Sequence, residues 1–245
     1  MDLIHLLWIA LIFLPAGLVK GVIGLGLPTI GMGLLALLMP PAEAAALLTL
    51  PSLVTNVWQM LAGRRLGAIA RRLWPMMLGV CLGTWAGAGL MIGDSARYAT
   101  AGLGAALILY AIVGLTAFRF SVRASLEPVL APIVGAITGM ITAATGVFVI
   151  PAVPYLQGIG LEKDALVQAL GLSFTVSTLA LAASLAAGGV FVPTMIAPTL
   201  VALGVALLGM WLGQIVRERI SPPAFRRCFF AGLLLLGLWL MLRAA

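Results

Sequence analysis

Apolar residues dominate the stretch from Leu3 to Met39, interrupted by one internal charge at Lys20 and by a glycine and proline cluster at Gly24, Gly26 and Pro28. As one helix this stretch would rise about 55 Å at ~1.5 Å per residue, against a bilayer hydrocarbon core of about 30 Å. The helix must break, and the cluster says where, because it removes two side chains and one backbone donor at the same place. A break inside lipid is tolerated only where it is buried in protein or lines a cavity. The segment from Gly17 to Gly33 is therefore read as a binding-site element.

Further apolar runs follow. Ala42 to Leu61 is the first full span, Leu73 to Ile92 the second and Tyr98 to Phe118 the third, with a short Gly93-Asp94-Ser95 turn between the last two. Arg64, Arg65, Arg71 and Arg72 form the most basic loop, and Arg119 and Arg123 mark another.

Sliding the chain along itself shows that the second half repeats the first. Gly17 and Gly21 match Gly135 and Gly139, Glu43 and Ser52 match Asp164 and Ser173, and Arg97 matches Arg227. The offset grows from 118 residues at Gly17 and Gly135 to 130 at Arg97 and Arg227, in steps that fall in loops. The second broken hairpin runs from Val129 to Thr142 and from Val147 to Leu156. Its legs are either re-entrant half-helices or tilted spans, which the sequence does not separate.

Basic loops orient the chain. The loop with Arg217, Arg219, Arg226 and Arg227 belongs on the cytoplasmic side by the positive-inside rule, whereas its counterpart in the first half is the external Asp94 turn. The expected fold is an all-α polytopic membrane protein of two inverted repeats, each a broken or re-entrant hairpin followed by three transmembrane helices. The units are residues 1–118 as membrane repeat 1, 119–127 as a cytoplasmic connecting loop and 128–245 as membrane repeat 2. The Arg64 to Arg72 loop is expected inside and the C-terminus outside.

Composition agrees with this class. The 245-residue chain is 63% hydrophobic and 9% charged, more apolar than a soluble core uses. Its net charge of +7 lies in short loops, where it orients the chain and does not signal nucleic acid. Cys81 and Cys228 lie in apolar runs with no partner at metal-ligand spacing, so neither a disulfide framework nor a metal site is expected, and no cofactor is implied. The acids Asp2, Glu43, Asp94, Glu127, Glu162, Asp164 and Glu218 all fall at segment ends or in loops. None is placed for a midplane proton relay or a hard-cation site. No nucleophile triad or phosphate loop occurs, so an enzyme is not expected.

The motif Gly17-xxx-Gly21-xx-Gly24-x-Gly26, with its copy Gly135-xxx-Gly139-xxxxxx-Gly146-xxxx-Pro151, resembles the twice-occurring glycine-rich motif of the TauE/SafE sulfite exporter family. The resemblance covers essentially the whole chain and implies a carrier of sulfite, sulfonates or related small anions in the bacterial cytoplasmic (inner) membrane. The chain departs from the family pattern at Leu27-Pro28 and at Thr142-Ala-Ala-Thr-Gly146, where further glycines are usual.

Candidate anion-binding positions follow from helix-terminus chemistry, since N-terminal backbone donors attract anions. They are Gly24, Gly26 and Thr29 at the first break and Thr142, Thr145 and Gly146 at the second. Lys20 is a cation inside an apolar element; its counterpart is Thr138. The helix after each hairpin adds a polar face: Ser52, Thr55, Asn56 and Gln59, then Gln168, Ser173, Thr175, Ser177 and Thr178. Packing alone explains Gly17 and Gly21, and snorkelling is the alternative for Lys20. The competing functions are a metal-cation or other small-solute permease and a structural subunit of a membrane complex. The partners expected are a small anionic substrate and the lipid bilayer, with homo-oligomerisation left open.

Overall fold

The glycine and proline cluster breaks the first helix where the sequence requires it. In the computed structural model, which describes residues 3–92, 96–116, 121–217 and 219–244, α1 covers Leu3–Ile23 and α2 covers Leu27–Leu35. Between them Gly24 (φ +74°) and Gly26 (φ +114°) take backbone conformations that side-chain-bearing residues rarely adopt. Pro28 then sits in the first turn of α2, where a missing N–H costs nothing. Helices α3 (Pro41–Leu61), α4 (Leu66–Ala86) and α5 (Ala96–Leu115) complete the first half.

The second half has the same order: α6 (Glu127–Thr145), α7 (Ala152–Gly158), α8 (Lys163–Ala187), α9 (Ile196–Arg217) and α10 (Pro222–Ala244). The described residues hold no strand, and six helices are long and apolar enough to cross a membrane. Exposed apolar residues on the helices include Trp74, Trp85, Trp211 and Leu242, as on lipid-facing surfaces. The Gly93 to Ser95 turn and residues 119 and 120 of the connecting loop lie outside the described residues.

Both hairpins are lopsided. The first legs, α1 and α6, have 21 and 19 residues, whereas the second legs, α2 and α7, have 9 and 7. At ~1.5 Å per residue the second legs reach only about 10 to 14 Å, less than half a bilayer. Each hairpin is thus a long helix followed by a half-length one.

The second span is displaced from the expected Leu73 to Ile92. Helix α4 starts at Leu66, so Arg71 and Arg72 lie inside it and only Arg64 and Arg65 remain in the loop. Ile69, Leu73, Met76 and Val80 form one buried stripe at three- and four-residue spacing, which carries the helix through the charges. Arg72 is held by both carboxylate oxygens of Glu127, at 2.7 and 2.8 Å, and by the Ile159 carbonyl at 3.0 Å.

Helices pack mainly as four pairs: α1 with α9, α4 with α6, α5 with α10 and α3 with α8. In the first pair a Cβ added at Gly17, Gly21, Gly209 or Gly213 would land on the backbone oxygen of Ala206, Met210, Leu14 or Leu18 respectively. In the second pair the corresponding glycines are Gly135, Gly139, Gly79 and Gly83, facing Met76, Val80, Pro132 and Ala136. One set maps onto the other by 118 residues along α1 and α6 and by 130 along α4 and α9. Backbones this close leave no room for a side chain, which is how small residues join helices in lipid.

Arg65 pairs with Glu162 at 3.0 Å, Gln168 Nε2 donates to the Met60 and Gly63 carbonyls, and Val122 N–H donates to Gly158. These contacts bring Arg64, Arg65, Arg123 and Lys163 to one end of the bundle, hereafter the basic end, and Arg226 shares a cavity wall with Lys163 there. Arg243 donates to the Leu37 carbonyl at the other.

Candidate functional site

A cavity of about 1540 Å³ opens at the basic end, between the C-terminal ends of α1, α3, α5 and α9 and the N-terminal ends of α8 and α10. Lys163, Arg217, Arg226 and Arg227 are on its wall, and Lys20, Gly24 and Gln59 reach it from the first half. Lys20 is only 4% exposed, and it is the one charged side chain among the buried described residues.

Lys20 Nζ donates to Asn56 Oδ1, and Asn56 Nδ2 donates to Thr178 Oγ1 at 3.3 Å. Thr178 Oγ1 in turn donates a hydrogen bond to the Phe174 carbonyl at 2.7 Å. The ammonium is therefore held by a neutral chain that crosses from α1 through α3 to α8. Among the described residues the ion pairs are Arg65 with Glu162 and Arg72 with Glu127, so no carboxylate neutralises Lys20. Keeping a buried lysine ionised without a counter-charge is costly.

The other expected positions divide by accessibility. Gln59 Nε2 donates to the Val167 carbonyl at 3.1 Å and still faces the cavity. Gly24 also faces it, yet its N–H is bonded to the Lys20 carbonyl, and the Gly146 N–H is bonded likewise to Thr142, both at 2.8 Å. These two glycines end helices, so their donors are spent on the helix and are not free for a ligand. Thr29 bonds back to the Gly26 carbonyl, Thr142 to Thr138 and Thr145 to Ile141. Thr145 Oγ1 also accepts the N–H of Val147, which closes the second break.

The two breaks do meet, away from the cavity. Pro28 and Met32 of α2 face Gly146 and Phe148 across a crevice of about 10 Å³ that also touches Ser52 and Thr178. That volume holds about one water and no oxyanion. Ser52, Thr138, Ser173 and Ser177 are buried with hydroxyls that make no hydrogen bond. Lys20 with Asn56 thus corresponds, in the second half, to Thr138 with Ser177.

Sequence reasoning missed Tyr110 and Phe230, which also line the cavity, and it used Arg226 and Arg227 only for orientation. Aromatic residues in apolar spans read as lipid or core positions, so no signal marked them. The described residues contain no cluster of three or more His, Cys, Asp or Glu suited to a metal ion, and Cys81 and Cys228 are exposed and free.

The family model of the sulfite exporter TauE/SafE matches residues 9–240, nearly the whole chain. The chain belongs to the TauE/SafE sulfite exporter family. No curated protein and no solved structure gives a match. As a TauE/SafE member it is a multi-pass integral membrane protein of a transporter family of the sulfite and sulfonate type. The Lys20 cavity and the two breaks are features of this TauE/SafE chain itself.

Proposed function

We propose that this chain exports small sulfur-containing anions, such as sulfite or an organosulfonate, across the bacterial cytoplasmic membrane, and that Lys20 is the amine that receives them. The observation that carries the reading is a large cavity, rimmed by Lys and Arg, whose one buried charged residue among the described residues is a lysine with no carboxylate partner among them. A basic rim raises the local concentration of anions. A cation permease would instead need acids where the cavity presents a lysine.

The basic end is the cytoplasmic one by the positive-inside rule, so this conformation faces inward. The two halves, 1–118 and 128–245, are inverted repeats, a reading supported by the matched glycine contacts and by opposite helix directions. Leu14 and Leu18 of α1 meet Gly209 and Gly213 in register, so α1 runs with α9 toward the basic end, while α6 starts there beside α4. Site residues of the second half, Thr138, Thr142, Thr145, Gly146, Ser173 and Ser177, serve the outward-facing form.

Export needs no coupling ion, because an inside-negative potential drives an anion outward with about 2.3 kcal/mol per charge per 100 mV. Counterflow in proteoliposomes with labelled sulfite, thiosulfate, sulfonates and carboxylates tests the substrate class. Exchange of sulfite or a sulfonate is expected; exchange of carboxylates alone contradicts the assignment. With the potential clamped, efflux should follow voltage, and efflux that follows only the pH gradient contradicts the uncoupled mechanism.

A further inference from the structure

Tyr110 of α5 lines the same cavity, is 2% exposed, and carries a hydroxyl with no hydrogen-bond partner. Its ring is fixed on two sides. It stands edge-on to Phe230 with centroids 5.1 Å apart and to Phe229 at 6.5 Å, both at 80°. A Cβ at Gly114 would collide with the Phe230 ring, so that ring lies directly on α5. Arg226 lies 5.8 Å over the same ring, and Phe229 comes within 3.4 Å of where a Cβ at Gly26 would stand. The phenol is thereby clamped between the basic rim and the first helix break.

Packing does not account for the hydroxyl. Phenylalanine would make the same ring contacts, and a buried hydroxyl left without a partner is destabilising. Ser and Thr hydroxyls can turn back onto their own helix, as Thr142 and Thr178 do, but a tyrosine hydroxyl stands too far from its backbone for that.

We infer that Tyr110 is a substrate-contacting residue whose O–H donates to the anion that Lys20 holds. The ligand class is an oxyanion with at least two acceptor oxygens, one for the ammonium and one for the phenol. Such a donor adds direction without adding a second charge, so the pair matches a single negative charge on a compact head group. In this conformation the hydroxyl is shielded from solvent. This assignment rests on the anion-permease reading above.

A control exists within the chain. Tyr155 is equally buried and its hydroxyl is also unpartnered, yet it does not line the cavity. Counterflow of labelled sulfite and of labelled methanesulfonate should be measured in proteoliposomes for the wild type, Tyr110→Phe and Tyr155→Phe, together with thermal melting. The Tyr110→Phe variant is expected to raise KM roughly ten- to a hundredfold, the effect of losing a hydrogen bond to a charged group, with melting unchanged or higher. Tyr155→Phe is expected to keep KM within about twofold of wild type. A Tyr110→Phe protein with wild-type KM, or one that loses only maximal rate, overturns the assignment while leaving the permease reading standing. A wild-type protein that exchanges neither anion overturns both.

Discussion

The two helix breaks share an architecture and differ in chemistry. Each follows a long helix that is fastened, glycine to backbone, against a partner from the other half of the chain. The first break has Lys20 bonded to Asn56 and opens on a cavity of about 1540 Å³. The second has Thr138, 0% exposed and unpartnered, at the position of Lys20, and its Gly146 is packed on Met32. The scaffold is therefore repeated, while charge and access are confined to one copy. The glycine contacts are common to both copies, and the departure from symmetry lies in Lys20 and Thr138.

The sharpest way to test the shared part is to disturb both copies alike. Gly21→Val and its counterpart Gly139→Val each push a side chain into a carbonyl of the partner helix. Both are expected to abolish folded protein, at costs of about 3 kcal/mol or more, because facing backbones cannot relax independently. Size-exclusion profiles of the extracted proteins decide it. If only one of the two collapses, the glycine contacts are not equivalent.

A middle-sized effect separates the polar pairs. Asn56→Ala strips Lys20 of its acceptor and is expected to lower stability by about 1–3 kcal/mol and to weaken anion binding. Ser177→Ala, at the matching position, removes a hydroxyl that has no partner and is expected to be neutral or mildly stabilising. Equal losses on thermal melting would erase the contrast between the two breaks.

The smallest effect belongs to the rim. Arg226 is exposed and donates only a long bond to the Gly114 carbonyl at 3.4 Å. Arg226→Gln is expected to raise KM about two- to fivefold at low salt and to have no effect at ~1 M salt, since exposed charges steer anions through a screened field. A salt-independent change would mean that Arg226 touches the ligand directly.

Much of the scaffold is readable from the sequence. Gly24, Gly26 and Pro28 localise the first break because their backbone chemistry is local, and Ala42 to Leu61 is almost the whole of α3. The start of α4 was not readable, because Arg71 and Arg72 look like loop charges until Glu127, 55 residues away, is seen to hold Arg72. Nor could the sequence show that the donors of Gly24 and Gly146 are used by helix ends, or that only one break is open. Those depend on how the two halves pack together, which a linear pattern of Gly, Ser and Thr does not specify. Lys20 stood out from composition alone, but its partner Asn56 lies 36 residues on and its exposure to the cavity is a property of the assembled bundle.

The central claim is that an anion enters the basic cavity to meet Lys20. Counterflow of labelled sulfite in proteoliposomes, with wild type, Lys20→Arg and Lys20→Met compared at equal amounts of folded protein, tests it most directly. Wild type is expected to exchange, Lys20→Arg to retain part of the rate, and Lys20→Met to fall roughly a hundredfold or more, as when a buried charge partner is removed. Exchange by Lys20→Met at the wild-type rate and KM would contradict the claim.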